Sequence, residues 1–315
     1  GITTLKNIEI VEFSDLDKTT NELLENFYKI TQSNYAADDL NIIDASTSII
    51  INASAIISLT GLASDILNAY ESSGINGLGN EKLTISDISI DASLLNILDL
   101  NTTGIINASS ITNITGSSSE INNAISSEGI SNLENKKITI FDSSIDASLL
   151  NTINEKTTGI INLIALTSLT GSASDIFNAY ESSTINGLGN KIITISDSSI
   201  DASFLNTLDK KTTGIINSTD LRSLNGTASD IFNAYESSGI SGLGNEIITI
   251  SDSSIDASFL NTLDEKTTGI INASAVTNLS GDFSALNTAY LSSKIDGLGN
   301  EIITISDSSI DASFL

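Results

Sequence analysis

The stretch Ile193-Thr-Ile-Ser-Asp-Ser-Ser-Ile-Asp-Ala-Ser-Phe-Leu-Asn-Thr-Leu-Asp209 returns unchanged as residues 248–264, a shift of 55 positions. Three motifs share that period. Asp-Ala-Ser begins at Asp91, Asp146, Asp201, Asp256 and Asp311. Gly-Leu-Gly-Asn begins at Gly77, Gly187, Gly242 and Gly297, and the absent member of the series falls on Asn132-Leu-Glu-Asn. Thr-Thr-Gly-Ile-Ile-Asn begins at Thr102, Thr157, Thr212 and Thr267. Self-similarity at one fixed period is the signature of a repeat architecture.

Within a period the apolar spacing changes twice. Ile193-Thr-Ile-Ser alternates as a strand does, and Ile200 follows a Ser-rich turn. Asp201 then stands where a helix N-cap belongs, before Phe204, Leu205 and Leu208. A second strand is expected around Gly214 to Asn217, after the Thr-Thr-Gly turn. Thr227-Ala-Ser-Asp230 has the spacing of a capping box and opens a helix with Ala228, Ile231, Phe232 and Tyr235 on one face. Each period thus reads β-turn-α-β-turn-α and ends in the Gly242-Leu-Gly-Asn loop.

A β-α unit this small cannot bury its apolar face alone, so neighbouring units must stack and share a core. The expectation is an α/β repeat solenoid with a parallel sheet on one side and short helices on the other. Crossovers between parallel strands give it a right-handed coil. Ile195, Ile200, Leu205, Leu208, Ile231 and Tyr235 are the predicted core. The tandem repeats are placed at 44–315, as one solenoid. Asp44-Ala-Ser runs straight into Thr47-Ser-Ile-Ile-Ile-Asn52, omitting the helical stretch that follows Asp91, so the first coil is expected to lack a helix. Residues 1–43 read as a cap or assembly segment, with an amphipathic helix over 15–31 that carries Leu23, Leu24, Phe27 and Ile30. The other end stops at Asp311-Ala-Ser-Phe-Leu315, inside a repeat helix, where continuation or a partner is expected to cover the core.

Composition excludes much chemistry. The chain has no His, Cys, Met, Pro or Trp, which removes zinc and haem sites built on His or Cys, catalytic triads and disulfides. Its 39 acidic residues against 13 basic ones leave a net charge of −26, and Arg222 is the single arginine, so neither nucleic acid nor an anionic membrane is a fitting partner. A hydrophobic content of 40% with 17% charged residues is that of a packed protein.

The alternation of strand and helix is similar to leucine-rich repeats, and Ile248-Thr-Ile-Ser-Asp-Ser-Ser-Ile255 follows their register with Ser253 in place of Asn. Taken together, Asp-Ala-Ser-Phe-Leu-Asn-Thr-Leu-Asp, Thr-Thr-Gly-Ile-Ile-Asn-Ala-Ser and Ser-Gly-Leu-Gly-Asn-Glu resemble the long tandem repeats of giant secreted or cell-surface proteins of marine bacteria and cyanobacteria. The resemblance spans about 44–315. It implies an extracellular structural or adhesive role and supplies no catalytic residues.

Asp87, Asp142, Asp197, Asp252 and Asp307 recur beside serine hydroxyls at a turn and are the candidate calcium ligands. Gly-Leu-Gly-Asn-Glu is also similar to the Gly-x-Gly-Asn-Asp of calcium-binding toxin repeats, but occurs once per period instead of in tandem. The competing reading, favoured by the spacing, is that these aspartates make turn hydrogen bonds. No ion is needed to tolerate such a ladder, because like charges ~10 Å apart in water repel by only about 0.4 kcal/mol. Tyr70, Tyr180, Tyr235 and Tyr290 suggest a sugar-stacking ladder, yet Ile125 replaces one of them, which favours core packing. Asp197 and Asp201 have the residue types of a glycosidase pair but recur in every copy, where an active site would break the pattern. Thr84, Thr139, Thr194, Thr249 and Thr304 raise a further alternative, an ice-binding solenoid face, which their sparse spacing of one every second coil disfavours.

No enzyme is expected. The sequence points to a structural segment of a surface fibre, filament or adhesin stalk, extracellular, with itself as head-to-tail partner. The alternative is a glycan-binding fibre or adhesin module, which one copy with a distinctive exposed cluster would reveal.

Overall fold

The computed structural model describes residues 29–309. The chain is α/β, built of repeated strand-helix units with parallel strands throughout. It packs as two compact units. One holds the described residues up to Asp142 with Thr152–Ile164 and Thr184–Asn186; the other holds Ser143–Asn151, Ala165–Ser183 and the described residues from Gly187 on.

The period contains two helices and five short strands. In the second unit the strands Ile192–Ile195, Ser199–Asp201, Ile216–Asn217, Ser223–Gly226 and Ile240–Ser241 run between and around the helices Ala202–Asp209 and Ala228–Glu236. Three of them, Ser199–Asp201, Ser223–Gly226 and Ile240–Ser241, go beyond the two strands expected from the sequence. Such short strands, with a serine, asparagine or glycine at every second place, give little alternation to detect.

Ladder partners recur every 24 positions, as in Ser199↔Ser223 and Ser223↔Ile247, or every 23 where Ile248 meets Ile271. The helices that begin at Ala202, Ala228 and Ala257 are spaced more widely, by 26 and then 29 positions. Each successive rung therefore falls farther behind the helix that follows it. A sheet ends after five rungs, and a new one has begun one period after its start. In the first unit these sheets start at Asn34 and Ser89; in the second they start at Ser144, Ser199 and Ser254. Consecutive helices pack on one another within each unit, as Ala37–Ser46, Ala63–Glu71, Ala92–Asn101 and Ser118–Ser126 do in the first.

The core is almost purely aliphatic. Ile195, Leu205, Leu208 and Ile231 have no exposed surface and Ile200 is buried, while Tyr235 is only half-buried because its hydroxyl serves a polar site described below. Burying such side chains, at about 1.5–3 kcal/mol each, is the main source of cohesion between coils.

The expectation of a first coil without a helix is overturned, since Ala37–Ser46 is helical. Asp44-Ala-Ser forms the end of this helix, not its start. Subtracting one period from Asp91 gives Ala36, so the tripeptide match was out of register. The helix expected over 15–31 lies mostly outside the described residues; at its end Lys29 bridges Asn52 and the Ile30 N–H donates to the Asn52 carbonyl, which is extended backbone. The segment 311–315 lies outside the described residues as well.

The Thr-Thr-Gly turn is tight for a visible reason. A Cβ on Gly214 would lie 2.0 Å from the Lys191 carbonyl oxygen, and Gly104, Gly159 and Gly269 meet the corresponding carbonyls at 2.0–2.2 Å. At Gly189, in the neighbouring loop, a Cβ would have nothing within 4 Å. Gly214→Ala is expected to cost roughly 3 kcal/mol or more in urea unfolding, and Gly189→Ala to stay within about 0.5 kcal/mol. Equal effects of the two would contradict this packing.

Candidate functional site

The five candidate calcium ligands have a common structural position. Asp87, Asp142, Asp197, Asp252 and Asp307 each accept, through Oδ2, the N–H of the first residue of a helix 24 positions earlier: Ala63, Ser118, Ala173, Ala228 and Phe283, at 2.6–2.8 Å. The carboxylate of one coil thus caps the positive end of the preceding coil's helix dipole. Among the described residues no group of three or more Asp or Glu is placed to hold a metal ion.

Asp201, paired with Asp197 in the glycosidase reading, accepts the Ser203 N–H at 2.9 Å and is the N-cap of its helix. The Thr227 hydroxyl accepts the Asp230 N–H at 3.1 Å and donates to the Asp230 carboxylate at 2.7 Å. Glu120, one methylene longer, reaches the Ser117 backbone N–H as well and completes a reciprocal box. Arg222 donates to the carbonyls of Thr219 and Leu221.

Two polar positions that the sequence reading passed over are equally regular. Asn96, Asn206 and Asn261 donate across to the carbonyls of Glu120, Asp230 and Ala285 on the next helix, at 2.9–3.0 Å. Glu81 and Glu246 are fully enclosed by the Gly-Leu-Gly-Asn turn. Glu81 accepts the Gly79 N–H and, at 2.7 Å, the Tyr70 hydroxyl. Glu246 accepts from Gly244, Asn245 and the Tyr235 hydroxyl, and Glu301 from Gly299, Asn300 and the Tyr290 hydroxyl. The Gly-Leu-Gly-Asn-Glu motif therefore folds its own carboxylate into a nest of backbone donors. Lys136 takes the glutamate position opposite Ile125 and its ammonium donates to the Ser109 carbonyl, while Lys191 takes it opposite Tyr180, whose hydroxyl donates to the Leu188 carbonyl instead. Asn132, which replaces the first glycine of that turn, adopts a φ of 67°.

These contacts shift ionisation. Burial first, then the Glu81 or Glu246 carboxylate, pushes the Tyr70 and Tyr235 hydroxyls far above their ordinary value. Burial and Glu301 raise Tyr290 to about 12. At Glu301, desolvation pushes upward, but the Tyr290 hydroxyl and the backbone donors outweigh it and hold the carboxyl below the usual range.

A shallow depression of about 400 Å³ in the first unit is lined by Ala36, Thr60, Leu62, Asp65, Thr84 and Ser110. It holds no convergent set of catalytic groups. Comparison with protein families, with curated proteins and with solved structures finds no match for the chain. No helix among the described residues is long and apolar enough to cross a membrane.

The site chemistry yields two expectations. Asp252→Ala should cost about 1–2 kcal/mol in unfolding free energy by loss of the inter-coil cap, and Asp252→Asn less, because its amide oxygen still accepts. Tyrosines raised in the folded state favour folding fully below the ordinary value of 10.0 and lose that contribution as pH rises through the folded values. Melting temperature should therefore fall steeply above pH 10, and less so in Tyr235→Phe; a flat alkaline profile would contradict the Tyr-Glu pairing.

Proposed function

We propose that the chain is a structural repeat protein, a segment of an extracellular surface fibre, filament or adhesin stalk, which joins head-to-tail with further copies of itself. It has no catalytic role in this reading, and the five aspartates act as inter-coil caps in preference to calcium ligands. Support comes from how the recurring polar side chains are used. Aspartates, asparagines, threonines and glutamates at the 55-residue period are spent on backbone groups of their own or the neighbouring coil, which suits a stalk and leaves little repeated chemistry for turnover.

The observation that carries the reading is a change of surface in the last described coil. Leu291 is 76% exposed at the position of Glu71, Glu181 and Glu236. Glu181 pairs with Lys211, just past the end of the following helix, and Glu236 with Lys266 in the last turn of its own following helix. In the first described helix, Ser46 occupies the position of Lys156, Lys211 and Lys266. The uncharged residues at these two positions elsewhere, Ser126 and Asn101, are polar, whereas Leu291 is apolar.

Sedimentation and negative-stain imaging test the proposal. The chain should form linear oligomers that lengthen with concentration and with salt, which screens the negative charge. Leu291→Glu restores the residue of three other copies and should shift the population to monomer. A monodisperse monomer at high concentration and high salt, or assembly indifferent to Leu291→Glu, would count against it.

A further inference from the structure

We infer that the outer face of one sheet in the first unit, centred on Phe141 and Ile164, is a docking surface for a neutral polysaccharide. The sheet comprises Ser89–Asp91, Asn113–Gly116, Lys137–Ile140, Ile161–Leu163 and Ile185–Asn186. In the strand Lys137–Ile140 the inward residues Ile138 and Ile140 are buried, and Phe141 continues the outward alternation at 48% exposure. On the next strand Ile161 and Leu163 are buried and Ile164 is 66% exposed. Ile140 and Leu163 are ladder partners, so Phe141 and Ile164, one residue beyond, stand on adjacent rungs.

This pair interrupts the repeat. The same two positions hold Ser86 and Ser109, Ser196 and Thr219, and Ser251 and Ser274 in the other copies, all exposed. A serine-to-phenylalanine change on a solvated face adds nothing to the core, and both members of the pair changed together.

Size and surroundings identify the ligand class. Two apolar side chains fall far short of the ~800 Å² per partner of a stable protein interface, whereas one exposed aromatic ring matches the C–H face of a single pyranose. Along the same face the register aligns Thr139, Asn162 and Asn186 on successive rungs, about 4.8 Å apart. The Thr139 hydroxyl donates to Asn113 Oδ1 and the Asn162 amide to the Ile138 carbonyl, so what these two present to a row of sugar hydroxyls is chiefly acceptor oxygens, beside the exposed Asn186 amide. The net charge of −26 disfavours an anionic chain, which leaves a neutral one.

The inference is independent of the fibre reading, since a single copy carries the whole face. Its test is depletion of the full chain from solution by microcrystalline cellulose, chitin and cross-linked dextran, each alone. Phe141→Ser with Ile164→Ser restores the residues of other copies, and an unchanged melting temperature verifies its fold. Retention on at least one polysaccharide, falling about tenfold or more in the double variant, is expected. Retention on none of them, or equal retention by the double variant, overturns the inference. So does a double variant that loses only self-association, which would make the face a protein contact.

Discussion

A parallel rung forms only if the chain comes back to the same place after each circuit, and here backbone pairing holds that return at 23 or 24 positions. The helices, whose starts at Ala202, Ala228 and Ala257 lie farther apart, cannot keep that step. The result is a set of five-rung sheets that begin one period apart, in place of one ladder in constant register with the helices. The short strands, the tight Thr-Thr-Gly crossing over the carbonyl of an earlier coil and the two unequal helix spacings are consequences of that mismatch. The 55-residue repeat is the unit after which a new ladder and a new pair of helices start together.

The carboxylates show how so acidic a chain stays folded. Many of them are bound where backbone N–H groups have no helical or ladder partner, at helix starts and inside the Gly-Leu-Gly-Asn turn. There a negative charge is an acceptor before it is a repulsive centre, and hydrogen bonds to charged groups are worth about 1.5–3 kcal/mol against a few tenths for repulsion across ~10 Å of water. A cap supplied by the next coil also couples helix stability to stacking. A coil that peels away exposes an apolar face and uncaps its neighbour in the same step.

Much of this was legible in the sequence, though unevenly. The 55-residue period, the strand and helix of residues 192–209 and the N-cap at Asp201 follow from alternation, spacing and residue type. The glutamate of the turn did not, because a buried carboxylate looks like any loop acid until the donors around it are placed. The aspartates at the calcium-candidate positions were seen as recurrent turn acceptors, but their partners lie on another coil, and the shorter step between rungs is invisible to a search tuned to the full period. The misplaced helix start at Asp44-Ala-Ser has the same root, since a three-residue identity marks register less securely than the period does.

Repetition sharpens the meaning of departures from it. Each position has up to five examples in equivalent surroundings, so the other copies show which residues the scaffold itself tolerates there. Lys136 with Ile125, and Lys191 with Tyr180, both stand where other copies have Glu with Tyr, so the scaffold itself accepts a lysine at the turn. Leu291 is not accounted for in that way, because its position elsewhere is polar, Ser126 in one copy and glutamate in three, of which Glu181 and Glu236 are ion-paired. Phe141 and Ile164 are not either, since serine or threonine serves the fold at both places in three other copies. A residue that costs solubility and is unnecessary for packing needs a cause outside its own coil. That criterion separates these exposed apolar side chains from exposed isoleucines such as Ile105, Ile160, Ile215 and Ile270, which recur after every Thr-Thr-Gly turn and belong to the strand they build.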